Sequence, residues 1–326
     1  MTRQLENETK NIETEPEKIK DNYAVIDIGT NSTRMLIFRN DHENLFRVNK
    51  TVRYTRMGQG VNRTGQLHPD AQKRNLEALE EYKNIAAEDY DVKSFYVFGT
   101  SAMRDAENTE EFTDQVKERL GLDIEVISGE TEAELGFIGV SQSFNEKLLI
   151  FDIGGGSTEF IVGEDRQLEK MISINMGCVR ATEKYLFSDP PTFQELERLN
   201  EDIYAELMKE IKDFIPQRPY RLIGIGGTAT SLSTIKQGLK IYDSEKVHGS
   251  IITRDELEVM IEELSKKTIA ERQHIVGLEA KRADIILAGA FILLNVFKVT
   301  GEKSFTVSDY DNLEGAAYRH FVMENK

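Results

Sequence analysis

The chain alternates short apolar runs with longer stretches of mixed apolar and polar residues, and the runs tend to stop at glycine. Tyr23-Ala24-Val25-Ile26 leads into Asp27-Ile28-Gly29, and Leu148-Leu149-Ile150-Phe151 leads into Asp152-Ile153-Gly154. Short apolar runs closed by turn residues predict buried strands. The two stretches stand 125 positions apart, a domain length rather than a solenoid repeat, and so predict two related halves. Between them, 35–39 reads as the return strand of a hairpin, 69–87 as an amphipathic helix, 94–99 as a strand, 109–120 as a helix, 124–127 as a strand and 130–140 as a helix. Further on, 195–214 predicts a long helix and 221–225 a strand ending in Gly226-Gly227-Thr228. An apolar helix buried between layers is expected at 282–297, a strand at 304–307 and a closing helix at 313–323. This is the alternation of α/β layers, and no Pro-rich or low-complexity linker parts the halves, so they are expected to share a hinge interface.

Composition narrows the class. The 326 residues include 41 Lys+Arg against 57 Asp+Glu, a net charge of −16 that argues against an indiscriminate nucleic-acid binder. No run approaches the roughly 18 apolar residues of a membrane span. The lone Cys178 forbids an internal disulfide and has no second cysteine or nearby histidine beside it for a metal site, which suits a reducing, cytoplasmic setting. Residues 1–22 are rich in Glu, Lys, Asn and Thr and read as a solvated tail, with a partner-binding arm as the alternative.

The candidate chemistry lies where strands end. Asp27 and Asp152 each precede glycines whose missing side chains let backbone N–H groups approach an anion, and phosphate is the natural guest. In an α/β sheet such ends face the ligand crevice, and two related halves would set one loop on each wall of a cleft. A carboxylate on each wall suits a hydrated Mg²⁺ that neutralises phosphate oxygens. One Asp-Ile-Gly alone is an ordinary strand-end turn; two at domain spacing, each followed by a serine (Ser32, Ser157), favour the cleft.

The strings Ile26-Asp27-Ile28-Gly29-Thr30-Asn31-Ser32-Thr33-Arg34 and Phe151-Asp152-Ile153-Gly154-Gly155-Gly156-Ser157-Thr158-Glu159 resemble those of the exopolyphosphatase and guanosine pentaphosphate phosphohydrolase (Ppx/GppA) family. Gly99-Thr100-Ser101-Ala102-Met103-Arg104, Ser128-Gly129-Glu130-Thr131-Glu132 and Gly226-Gly227-Thr228 extend the resemblance in family order from Tyr23 to the end of the chain. It implies an α/β fold of two actin-like (ASKHA, ribonuclease H-like) domains flanking an interdomain cleft. Domain I would cover 23–135 and be joined by the C-terminal helix 313–325, and domain II would cover 136–312.

The resemblance also implies roles. Glu132 matches the catalytic carboxylate that orients or deprotonates water, although alone it reads as a charge on an acidic helix start. Glu159 would work near water and metal, although alone it reads as an exposed strand charge. Arg104 matches a phosphate-contacting arginine, and Asn31, Ser32, Gly155, Gly156, Ser157 and Thr158 would supply amides and hydroxyls to phosphate. Gly226, Gly227 and Thr228 resemble a nucleoside loop, or form a simple helix-start turn. Asp27, Asp152 and Glu159 would hold Mg²⁺. Arg34 and the helix N-termini are expected to make the cleft locally positive, whereas Arg53, Arg56 and Arg63 read as solvated charges.

Two departures from the family pattern stand out. Leu313 replaces a usual arginine, which leaves a basic group missing from the cleft or the interface. The chain also lacks the C-terminal helical extension of longer members, which leads us to expect either shorter polyphosphates as substrates or a lower chain-length preference. The implied reaction is Mg²⁺-assisted removal of terminal orthophosphate from inorganic polyphosphate. The alternatives are the 5′-phosphate of pppGpp and a non-catalytic alarmone or polyphosphate sensor. No nucleic acid or membrane partner is expected, and a homodimer is hinted at only by the apolar stretch 285–297, which reads more simply as core.

Overall fold

The computed structural model describes residues 21–41 and 44–323. The expected tail lies outside them except for Asp21 and Asn22, and Asn22 already opens β1.

Two mixed sheets repeat one plan. In the first, β1 (Asn22–Ile28), β2 (Thr33–Asp41) and β3 (Asn44–Arg53) form an antiparallel meander, and β4 (Val92–Gly99) and β5 (Ile124–Val126) extend it in parallel from β1. The order is β3-β2-β1-β4-β5. In the second, β6 (Leu148–Ile153), β7 (Thr158–Glu164) and β8 (Gln167–Ile174) repeat the meander. There β9 (Arg221–Ile225) and β11 (Ser304–Val307) run parallel beyond β6, with β10 (Ile251–Thr253) antiparallel at the edge. Asp27 and Asp152 occupy matching places, one residue before the ends of β1 and β6.

The hydrophobic pattern decides which faces are covered. Helices Pro69–Glu88 and Thr109–Leu120 bury Leu76, Leu79, Tyr82, Phe112 and Val116 on the outer face of the first sheet. The outer face of the second is covered by helices Phe193–Ile211, Arg254–Ser265 and Ile286–Thr300. This apolar helix begins at Ile286 rather than 282, because Arg282 lies in a preceding 3₁₀ turn. It is buried along nearly its whole length, so the hint of a dimer face dissolves into core.

The inner faces meet on a pair of helices. Gly129–Val140 packs Phe137 and Val140 on the second sheet, while its Leu135 joins Leu313, Ala316 and Ala317 of Asn312–Tyr318 on the first. The two helices touch backbone to backbone, for a Cβ on Gly315 would stand 1.8 Å from the Leu135 carbonyl oxygen. Only a residue without a side chain permits that crossing.

Candidate active site

The turns after β1 and β6 are built alike. Gly29 N–H donates to the Ser32 carbonyl and Gly154 N–H to the Ser157 carbonyl, each at 3.0 Å. Their tips meet across the gap between the sheets, where a Cβ on Gly155 would lie 2.8 Å from Thr30 Cβ, so glycine is what lets the loops approach. A cleft of about 700 Å³ opens from them, walled by Asp27, Arg34, Glu132, Asp152 and Arg282, with Arg47 and Lys50 farther along.

Strand register explains the charges. Asp27 pairs across the ladder with Arg34, and at the matching place in the second sheet Asp152 pairs with Glu159. In the first half the pair is an ion pair: Arg34 Nη2 stands 2.5 Å from Asp27 Oδ2, and its Nη1 reaches Asp311 Oδ2 at 2.5 Å. In the second half two carboxylates face each other, an unfavourable arrangement unless a proton or cation intervenes. Burial, with the charges of Asp311 and Glu132, pushes Asp152 up to about 7. Burial, with Glu132 and Asp152 nearby, also holds Glu159 well above the ordinary carboxylate range. Glu159 Oε1 accepts from Ser173 Oγ at 2.7 Å, and its Oε2 is buried without a partner, as is Asp27 Oδ1.

Glu132 sits in the first turn of Gly129–Val140, which is capped by Ser128. It is 9% exposed. Arg104 Nη1 donates to Glu132 Oε2 at 2.8 Å and to the Ile127 carbonyl at 3.0 Å. Burial raises the affinity of Glu132 for a proton, and Arg104 opposes it. The arrangement fixes one carboxylate oxygen and leaves the group basic enough to take a proton.

The fold brings Asn31, Ser32, Gly155, Gly156 and Ser157 to the cleft wall with Gly226 and Gly227. Two expected contributors are turned away from it. Thr158 Oγ1 donates to the Met176 carbonyl and Thr228 Oγ1 to the Ile153 carbonyl, so both hydroxyls brace backbone rather than face a ligand. Arg104 and Glu159 stand off the wall, reaching it through Glu132 and beside Asp152. Arg53, read as a solvated loop charge, lies at the end of β3 and pairs with Glu81. Arg56 bridges the halves through Asp284 at 2.9 Å.

Among the described residues no three His, Cys, Asp or Glu converge into a metal-holding group. Asp27, Asp152 and Glu159 therefore do not make a closed ligand set by themselves. The donors still fit a hard cation of the kind that takes one or two carboxylates and completes its shell with water and phosphate oxygens. Buried carboxylate oxygens without partners and the repulsion between Asp152 and Glu159 are what such a charge would relieve.

The far end of the cleft holds residues the sequence pattern did not single out. Arg47 of β3 pairs with Asp309 at 2.5 Å and Glu314 at 2.8 Å, and its guanidinium lies 3.9 Å from the Tyr310 ring centre. Lys50 reaches Glu314 at 3.1 Å. Burial works against the Asp311 charge, but Arg34 and Lys50 hold it below the usual carboxylate range. Leu313 is fully buried in the apolar cluster of the first sheet. Position 313 thus faces core, and the cations of this corner are Arg34, Arg47 and Lys50, paired with Asp27, Asp309, Asp311 and Glu314.

Two duplicated α/β sheets with phosphate-type loops facing each other across a carboxylate-lined cleft define an actin-like fold of the phosphatase class. The profile of the Ppx/GppA phosphatase family matches residues 36–323, and the chain belongs to that family. It is 32% identical over 310 residues to "Exopolyphosphatase 2" of Mycobacterium tuberculosis, a match covering 90% of this chain and 97% of the relative. It is 37% identical over 319 residues to a "Bifunctional 3-dehydroquinate synthase/phosphatase" of Fusobacterium nucleatum, covering 92% of this chain but only 47% of that longer protein. Among solved structures, the Aquifex aeolicus member of the family superposes with a TM-score of 0.79 at 31% identity, covering 94% of this chain and 99% of that one. Phosphatases of this family are generally divalent-cation dependent. No helix among the described residues is long and apolar enough to cross a membrane.

Proposed function

We propose that this protein is an exopolyphosphatase that uses Mg²⁺ to remove orthophosphate from the end of inorganic polyphosphate. The observation that carries the reading is the buried Glu132 held by Arg104 on a cleft whose two walls are matching glycine loops. The terminal phosphoryl group lies between the two loops, where their amides and Ser32 and Ser157 meet its oxygens. Glu132 accepts a proton from the attacking water as the water oxygen bonds to the terminal phosphorus. The bridging P–O bond breaks, and the shortened chain leaves with the bridging oxygen. Arg104 keeps Glu132 aimed and charged. A bound Mg²⁺, held by Asp152 with Asp27 or Glu159 and by substrate oxygens, would neutralise charge on the transferring group.

Two domains, 23–135 with the C-terminal helix and 136–312, would close about the helix pair that crosses at Gly315 to bring the loops together. A second reading, the 5′-phosphate of pppGpp, draws support from the apolar residues Val52, Tyr54, Leu239 and Leu278, which line the same cleft as Gly226 and Gly227 and suit a nucleoside. A pure sensor accounts less well for the Glu132–Arg104 pair. Comparing Mg²⁺-dependent phosphate release from polyphosphate and from pppGpp tests the choice, with the higher kcat/KM expected on polyphosphate. A preference for pppGpp would reverse it.

A further inference from the structure

A second, smaller pocket of about 90 Å³ lies between the halves, and the tip of the first phosphate loop stands between it and the main cleft. Thr30 and Asn31 line both spaces; the polar residues Arg56, Gln59, Thr182, Glu183 and Asp284 also line the smaller one, and Glu183 Oε2 is engaged by Asn62 Nδ2. Its polar groups are built and incompletely used. Asn31 is 7% exposed and its Nδ2 has no acceptor, while Asp284 Oδ1 is buried and receives no donor. Arg56 N–H donates to the Asn31 carbonyl at 3.0 Å, its Nη1 meets Asp284 Oδ2 at 2.9 Å, and its Nη2 donates to the Lys281 carbonyl at 3.3 Å. Arginine has five donors, so Arg56 retains capacity for an oxyanion.

From this geometry we infer that the rear pocket binds orthophosphate, and that the product leaves through it while the shortened chain still fills the front cleft. The inference rests on the hydrolase reading above. Orthophosphate differs from every internal unit of polyphosphate in carrying a P–OH near neutral pH. Asp284 Oδ1 accepts from that hydroxyl, while Asn31 Nδ2 and Arg56 donate to the charged oxygens. The orphan donor and orphan acceptor are therefore matched to the product and mismatched to the internal units of the chain. In the main cleft the terminal phosphate has the remaining polyphosphate in front of it, so exit past Thr30 and Asn31 spares the enzyme from releasing the chain at each turnover. Outward, Arg56–Asp284 and the Asn62 Nδ2 to Glu183 Oε2 bond at 2.9 Å bridge the halves at this end, and the route opens when they part.

Gln59 is exposed at the pocket rim, so Gln59→Trp fills the space without touching a core, and Arg56→Ala removes the principal donor. Titration of inorganic phosphate into the wild-type protein is expected to find two sites, and into either variant one. Wild-type protein with a single site that neither variant alters, or variants that keep two, would overturn the inference. On long polyphosphate, kcat of Gln59→Trp is expected to fall about fivefold or more as release becomes limiting, with less effect on triphosphate. Equal rates on both would also count against it. A wild-type protein that hydrolyses no polyphosphate would defeat the functional reading but leave the two-site titration to judge the pocket; hydrolysis with one phosphate site would defeat the pocket alone.

Discussion

At the scale of single residues, the site is a set of charges whose roles follow from their partners. Replacing Glu132 with Gln keeps its shape and removes its basicity, so turnover should fall by about two to four orders of magnitude while polyphosphate still binds. Steady-state rates and equilibrium binding of the same variant check this, and wild-type turnover would refute the assignment. Asp152, raised to about 7, is neutral below that value and charged above it. Cation affinity should therefore weaken as pH falls through 7 and level off at higher pH, with proton release on binding near neutrality. Calorimetric titration of Mg²⁺ at several pH values tests the sign, and affinity that rose on acidification would contradict it. Asp27, Asp152 and Glu132 were legible in the sequence because each belongs to a local string. The Glu132–Arg104 bond was not, for the partners lie 28 positions apart and no periodicity links them. Thr158 and Thr228 looked like ligands by position alone, and only the backbone carbonyls beside them show otherwise.

Among elements, the buried strands β1, β4, β6, β9 and β11 could be read from their apolar runs. The outer arms β3 and β8 could not, because their residues are half-buried and mostly polar, as in Leu45-Phe46-Arg47-Val48-Asn49-Lys50-Thr51. Missing β3 concealed Arg47 and Lys50, and with them the source of positive charge around Asp309, Asp311 and Glu314. The helix pair beneath the cleft carries its own test. Gly315→Ala puts a methyl group into the Leu135 carbonyl and must push the crossing apart, at a cost of about 1–3 kcal/mol. Thermal unfolding should show a lowered Tm with reduced activity at temperatures where the variant is still folded; an unchanged Tm would mean that the two helices do not cross at this contact.

Taken as a whole molecule, the protein is two copies of one sheet plan that have diverged in charge. Asp27 faces Arg34 in one copy and Asp152 faces a carboxylate in the other, so the call for an added cation is stronger at the second loop. That asymmetry reconciles a net charge of −16 with a polyanionic substrate, since potential inside a cleft is set by local groups and bound ions. The cleft lies between the two loops, and a ligand that touches both should favour a closed arrangement of the halves. Small-angle scattering is expected to show a smaller radius of gyration with Mg²⁺ and polyphosphate together, and no compaction would argue against a moving hinge. The most direct measurement is phosphate release by the purified protein from polyphosphates of several lengths, pppGpp and ATP, with and without Mg²⁺, beside Glu132→Gln. The account predicts Mg²⁺-dependent release from polyphosphate that the substitution removes; tight binding without release from any of the three would contradict it and leave a sensor in place of an enzyme.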